Sequence, residues 1–461
     1  MTFKERVCVT IAGKSVPYRK PRRKSLARLL ILILGVCLLG GMIVATAWAA
    51  EGKGNVIILS LEQILSSISA PSPNPVPSPD PVPSLGCGEE NPPSGGEPVQ
   101  EEASLAQLNH DSIQAKVDAI AKKYGAVGLQ VAVVEDGVVT DTYIYGWATK
   151  KTDPMTADHK MRVASISKVL VGMGAMILRE EGVVNLDDSI GNYWGFTVRN
   201  PYHTGTPVSI RSLLTHTSSI YIAGDKVSRE YQDVRNGLKR GSVFTRSKPG
   251  ALASWGYNNY GFVVLGMTLE LAADDNLDNI LHRRLFDAMD IDAAFFPGDM
   301  KDTSRLVTLY SGGKASYSID YQKGLRAAAP AATGKCFPGG LTISAADLGK
   351  LAAMLAKDGQ YGGVQLLSAE SVELMESHVD QMITGGFYQG MPLRCRPGLY
   401  GRDSLCYHTG SAYGVYNLFS YDPVTGDGVV VLTVGASGKK DGNGIYAVCG
   451  EISNYIYGVI A

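Results

Sequence analysis

The chain has 461 residues, 45% of them hydrophobic, and a formal net charge of −1. That balance excludes a polyanionic partner, so no nucleic acid is expected, while the length leaves room for two or three domains. No Cys/His spacing resembles a metal site, and neither a metal nor any other cofactor is implied.

In chain order, the first segment (1–28) is basic, with Lys14, Arg19, Lys20, Arg22, Arg23, Lys24 and Arg28. The uncharged run LLILILGVCLLGGMIVATAWAA (29–50) follows. About 20 apolar residues span a bilayer core, and Lys/Arg on the N-terminal flank keep that end cytoplasmic. Residues 29–50 therefore read as a membrane-spanning signal anchor. Ala47-Trp48-Ala49 also has the small-x-small form of a signal-peptidase site, so the alternative is a signal peptide cleaved after Ala49. Either way the rest of the chain is expected outside the cytoplasm. Residues 51–104 form a juxtamembrane and Pro-rich linker. Its PSPNPVPSPDPVPS stretch (71–84) favours polyproline II and reaches about 40 Å at ~3.1 Å per residue.

From 105 to 461 the sequence reads as one globular unit. A helix is expected around 111–124. GLQVAVVEDGVVTDTYIYGWA is two β-rich runs joined by Asp136-Gly137, a hairpin signal. ISKVLVGMGAMILREEGVV is a helix stopped by Gly182, and AADLGKLAAMLAKDG another stopped by Gly359. GVYNLFSYDPVTGDGVVVLTVGA repeats the hairpin pattern, and the C-terminus has helical periodicity. The expected fold is α/β (α+β): one antiparallel sheet built from both chain ends and flanked by helices, with an all-α lobe inserted between. Cys395 and Cys406 flank a short turn-rich segment, which suits a disulfide between neighbouring strands. Cys336 and Cys449 are candidates for a second pair, with Cys87 left over.

Chemistry first appears in VASISKVLVG (163–172). Ser165 and Lys168, three apart, share one helical face, whereas Ser167 points about 100° away from its neighbour. A serine hydroxyl needs a base to become a nucleophile. A lysine serves only when burial and nearby positive charge depress its pKa. Ser-x-x-Lys recurs at 311–314 and 437–440, in glycine-rich loops that cannot fix the pair. A second element is Tyr257-Asn258-Asn259: a tyrosine beside an ammonium can act as a base, and Asn259 can both donate to and accept from a substrate amide. The third is His408-Thr409-Gly410, leading into a strand whose Ser411 N–H can face a cleft; the copy at 203–205 lies in a Pro/Gly loop and reads as chance. A Ser-His-Asp hydrolase would carry a Gly-x-Ser-x-Gly elbow, which the chain lacks.

In that order, the three motifs resemble those of the penicillin-recognising serine enzymes: serine β-lactamases, DD-peptidases and related esterases. The flanks MRVASISK, RSLLTHTSSI, GYNNYGFVVLG, FPGGLTISAADLGKL and HTGSAYGVYNLFSYDP resemble the class C β-lactamase-related branch. The resemblance covers nearly all of 111–461. It implies an acyl-enzyme on Ser165, with Lys168 and Tyr257 managing the proton. The N–H groups of Ser165 and Ser411 would form the oxyanion hole. Asn259, His408, Thr409, Gly410 and Ser411 would bind substrate, His408 from the opposite wall. The third motif opens with histidine rather than the lysine of efficient class C β-lactamases, which biases the expectation toward DD-peptidases and esterases. Ser219 stands where the family often has glycine, and His216 reads as a structural helix-start residue. The expected substrate is a peptidoglycan stem peptide, a D-alanyl ester or another small acyl compound, handled by a DD-peptidase or D-alanyl transesterase. The alternatives are an ester or amide hydrolase, a β-lactamase, and a penicillin-binding sensor without turnover.

Overall fold

A computed structural model describes residues 8–11, 14–17, 45–47, 55–57, 99–222, 227–377, 382–383 and 385–460. The chain divides into two units, Met1–Gly96 and Glu97–Ala461. In the first, Cys8–Ile11 pairs with Lys14–Pro17 and Ala45–Ala47 with Asn55–Ile57, both antiparallel. The membrane span expected at 29–50 is therefore not helical at Ala45–Ala47; residues 29–44 and 48–50, like the Pro-rich stretch at 71–84, lie outside the described residues. Among the described residues no helix is long and apolar enough to cross a membrane.

The second unit is built on an eight-stranded antiparallel sheet. Its strands are β1 (Gly128–Glu135), β2 (Val138–Thr149), β3 (Asp153–Pro154), β4 (Tyr388–Gln389), β5 (Arg394–Arg396), β6 (Leu405–Ala412), β7 (Val415–Tyr421) and β8 (Gly428–Val434). The order across the sheet is β4-β5-β6-β7-β8-β1-β2-β3, so strands from the two chain ends meet at β8 and β1. The β1–β2 turn is Asp136-Gly137 with φ of 48° and 81°, the double left-handed geometry of a type I′ hairpin.

Alternation along the central strands sorts two cores. Leu129, Val131, Val133, Val429 and Val431 face one layer, with the helices α1 (Val99–Lys123) and, near the C-terminus, Ala447–Val459. Ala132, Val134, Val430 and Leu432 face the other, covered by the helix Ala345–Ala356 and the helical lobe. Both faces are buried, which is why these strands read as continuous apolar runs. The lobe contains α2 (Ser167–Glu180), stopped by Gly182 at φ 72°, and α3 (Asn259–Ala273).

The cysteines fall into two cases. Cys395 and Cys406 are directly opposite one another on the neighbouring strands β5 and β6, their sulfurs 2.7 Å apart, the placement on which the expected disulfide rests. Cys336 and Cys449 are free and belong to cores on opposite faces of the sheet, which rules out a bond between them in this fold.

Candidate active site

The nucleophile turn starts from a two-residue strand, Met161–Arg162, paired with Thr342–Ile343. The chain then tightens into a 3₁₀ turn, Ala164–Ile166, before α2 begins at Ser167. Ser165 thus precedes the α-helix it was expected to occupy. The spacing of three still brings it to Lys168, because a 3₁₀ turn eclipses i and i+3. Ala164 takes φ 51°, a conformation that costs a non-glycine residue about 1–3 kcal/mol and is met at functional sites. Ser167 accepts from the Leu341 N–H at 3.0 Å and is fully buried, so it serves the turn, not the chemistry.

Lys168 is completely buried. Its Nζ donates to Ser165 Oγ at 3.2 Å and to the Pro338 carbonyl at 2.7 Å, and lies 5.0 Å from the Tyr257 ring centroid. Burial pulls its pKa below the usual lysine value; Tyr257 opposes this, and the charges of Arg394 and Arg229 reinforce it. The Tyr257 phenol lies beside Lys168 and Ser165. Burial alone would raise its pKa, but the charge of Lys168, the polar influence of Lys168 and Ser165, and Arg394 outweigh that and leave it below the ordinary phenol value. A hydroxyl, an amine and a phenol are therefore gathered at one place, with both candidate bases shifted toward their proton-accepting forms.

The tyrosine motif is held at the start of α3. Asn258 is the N-cap, its side chain accepting from the Gly261 N–H at 3.1 Å. Asn259 is exposed on the first turn, free to meet a ligand. On the sheet side, Gly410 of β6 packs against the nucleophile turn so closely that a Cβ there would lie 2.1 Å from the Val163 carbonyl oxygen. This carries Gly410 and the exposed Ser411 alongside Ser165, the placement that an oxyanion hole shared by the two N–H groups needs. Thr409 is half-buried and accepts, through its carbonyl, the His408 Nδ1–H at 2.8 Å. His408 itself is 1% exposed, its ring centroid 6.3 Å from that of Tyr257. Burial, then Arg394 and Lys168, hold its pKa well below the ordinary value, so it is neutral.

Two contributors escaped the sequence reading, and a third, His216, was expected only as a structural helix-start residue. Arg394 on β5 lies 5.4 Å from the Tyr257 ring centroid and 4.7 Å from that of Phe387, half-buried and with no carboxylate partner among the described residues. Tyr446, at the cap of the C-terminal helix, lies beside the Ser411 side chain. His216 follows the short helix Ile210–Leu214 and does not start one; its ring centroid is 4.6 Å from that of Tyr257. Nothing in LRCRPG or LLTHTSSI announces these contacts, which arise from strand order and loop packing. Ser219 has φ 61°, where glycine is at ease, and its hydroxyl accepts from Asn200 at 2.9 Å. A surface groove lined by Arg179, Asp187, Arg211 and Glu370 shares none of these residues, and its charges are paired with each other.

Comparison with known proteins agrees with this fold. The beta-lactamase family model matches residues 113–448, well over half of the chain. The chain is 29% identical over 111 residues to the D-alanyl-D-alanine-carboxypeptidase/endopeptidase AmpH of Escherichia coli, covering 24% of this chain and 29% of that protein. Its fold is similar to the D-amino acid amidase of Ochrobactrum anthropi (TM-score 0.59, 22% identity, 77% of this chain and 100% of that one). It is also similar to a class C beta lactamase from Rhodobacter sphaeroides (TM-score 0.58, 18% identity, 76% and 99%). The matches span 29% to 60% of the length of the leading curated relatives. The family match over 113–448 takes in all three motifs, and the chain belongs to the beta-lactamase family of serine hydrolases.

Proposed function

We propose that this chain removes D-alanine from D-alanyl-D-alanine-terminated peptides, such as peptidoglycan stem peptides, through an acyl-enzyme on Ser165. The observation that carries the reading is the 3.2 Å contact from the buried Lys168 amine to Ser165 Oγ, with the Tyr257 ring 5.0 Å from that amine. In the proposed reaction, Ser165 Oγ attacks the carbonyl carbon of the scissile peptide while its proton passes to the Lys168 amine or the Tyr257 phenolate. The oxyanion gathers between the Ser165 and Ser411 N–H groups, where each such donor is typically worth about 3–4 kcal/mol. The C–N bond then breaks, the leaving amine takes up the proton, and water hydrolyses the ester on Ser165. A terminal carboxylate needs a cation, and neutral His408 supplies none. Arg394 does, with its guanidinium beside Tyr257 and without a carboxylate of its own among the described residues. The AmpH relative, by its name a carboxypeptidase on this linkage, supports the same substrate class. The basic segment and apolar run at the N-terminus support export of the domain, tethered by 29–50 or released after Ala49.

The test offers the full chain a D-Ala-D-Ala peptide, a chromogenic cephalosporin and a p-nitrophenyl ester, with penicillin labelling mapped by mass spectrometry. Release of D-alanine, lost in Ser165→Ala, and an adduct on Ser165 are expected. Ester turnover without D-alanine release, or an adduct that persists in Ser165→Ala, overturns the reading.

A further inference from the structure

We infer that His216 is a positioning residue that clamps Tyr257 from both sides and so sets its distance from Lys168 and Ser165. The inference rests on the acyl-enzyme reading of Ser165 for its kinetic consequence, but its geometric content stands apart from it.

Two bonds bracket the tyrosine. The His216 carbonyl accepts from the N–H of Gly256, the residue before Tyr257, at 3.0 Å. The His216 ring accepts at Nδ1 from the N–H of Asn258, the residue after it, at 3.4 Å. The ring packs against Tyr257 at a centroid distance of 4.6 Å and against Phe262, one turn into α3, at 5.1 Å. One residue therefore fixes the backbone on either side of Tyr257 and the face of its ring. To do this, its own backbone adopts φ 58°, a left-handed conformation unusual for a histidine and tolerated where the surroundings impose it.

The clamp also fixes the ring's protonation. A backbone N–H can only donate, so Nδ1 must carry a lone pair, and in the neutral ring the proton sits on Nε2. Burial, then Lys168 and Arg394, push the His216 pKa well below the ordinary value, so the ring stays in that form. A protonated ring would lose the Asn258 bond and set a second positive charge against Lys168. Between the turn that ends at Ser254 and the cap of α3 at Asn258 the chain is irregular, so the two His216 bonds hold the backbone on either side of Tyr257.

Two measurements decide it. In the ¹⁵N-labelled full chain, two-bond ¹H–¹⁵N correlation is expected to show His216 with an unprotonated Nδ1 and a protonated Nε2, unchanged between about pH 5 and pH 8. An Nδ1–H tautomer overturns the clamp without any substitution. The second compares His216→Asn with His216→Gln. Asparagine Oδ1 takes the place of Nδ1 and tolerates positive φ. Glutamine moves the acceptor out by a methylene. Tyr257 is titrated through ¹³Cζ-tyrosine NMR, assigned with Tyr257→Phe, and kcat and KM are read on whichever substrate wild type turns over. His216→Asn should titrate as wild type with kcat within about threefold, and His216→Gln should titrate higher and lose about tenfold or more in kcat at little changed KM, the signature of a misplaced base. Equal titration and equal kcat in the glutamine variant overturn the inference. If wild type turns over none of the three probes, the functional reading fails, while the tautomer and the titration still decide the clamp.

Discussion

Arg394 acts on the site at a distance: Lys168, Tyr257, His216 and His408 all have their pKa values lowered in part by its charge. The direction matters for catalysis. Lowering the lysine pKa leaves more free amine at a given pH, and lowering the tyrosine pKa leaves more phenolate, so one guanidinium favours the proton-accepting form of both bases. Arg394→Met removes that charge, and both values rise. The pH at which acylation is half-maximal is then expected to move upward, with a corresponding loss near neutrality. Burst acylation rates measured across the pH range check this, and a profile that keeps its midpoint excludes the role. The same variant should raise KM for a carboxylate-bearing peptide more than for a neutral ester. At this scale the sequence was legible where chemistry follows spacing. Ser165 and Lys168 declare themselves three residues apart, and Tyr257 by its asparagines. Arg394 does not, because what brings it to Tyr257 is the pairing of Arg394 with Tyr407, next to His408, and that register is invisible in a linear reading.

The strand β6 and the turn before α2 form the seam on which the site depends. The glycine of the third motif makes that seam possible: a Cβ at Gly410 would meet the Val163 carbonyl at 2.1 Å and the Ala164 Cβ at 3.5 Å. Neither neighbour can give way, since Val163 is bonded to Leu341 and Ala164 is already at φ 51°. In Gly410→Ala the strand must back off from the turn, and the Ser411 N–H retreats with it. A displacement on the order of 1 Å at an oxyanion donor costs about a hundredfold in rate. Acylation of Gly410→Ala is thus expected to fall by about that factor. Thermal unfolding of the same sample separates this from collapse of the fold, and an unimpaired variant would show that Ser411 does not serve the oxyanion. Elements with strong local patterns were legible: both hairpins, α2 with its stop at Gly182, the helix Ala345–Ala356 and the C-terminal helix. The helix expected from 111 begins at Val99, since its polar first turns carry no apolar periodicity to mark them. The two-residue edge strands β3 and β4 were not legible, being defined by their neighbours, whereas β5 was anticipated by the reading of Cys395 and Cys406 on neighbouring strands.

Across the whole domain, stability and pH are linked through buried groups in opposite senses. Glu270, on α3, accepts from the Leu277 N–H at 2.8 Å and the Ala331 N–H at 2.6 Å, tying the next helix and the 329–331 loop to the lobe. Burial raises its pKa from 4.5 to about 7 despite those two bonds. Asp278, half-buried nearby and accepting from Phe295, is raised by desolvation from 3.8 to about 6. For a carboxylate whose folded value exceeds its unfolded one, the native state binds more protons than the unfolded chain between the two values. The stability associated with Glu270 is therefore full below about pH 4.5 and is lost as pH rises through about 7. His216 and His408 work the other way: their folded values lie well below 6.5, the unfolded chain binds the extra protons, and stability falls as pH drops below 6.5. Between about pH 4.5 and 6.5 the two trends oppose each other, and above about 7 neither adds a further change. The Glu270 share is separable. A rise from 4.5 to about 7 corresponds to about 3 kcal/mol. Glu270→Gln removes the titration and adds a pH-independent cost, because one end of the amide must point its NH₂ at a backbone N–H. Denaturant unfolding at about pH 5 and about pH 8 should thus find the variant less stable than wild type at the lower pH, with the gap narrowed or reversed by about 3 kcal/mol at the higher. A gap that stays constant with pH would show that Glu270 is ionised throughout, and that its two backbone bonds outweigh its burial.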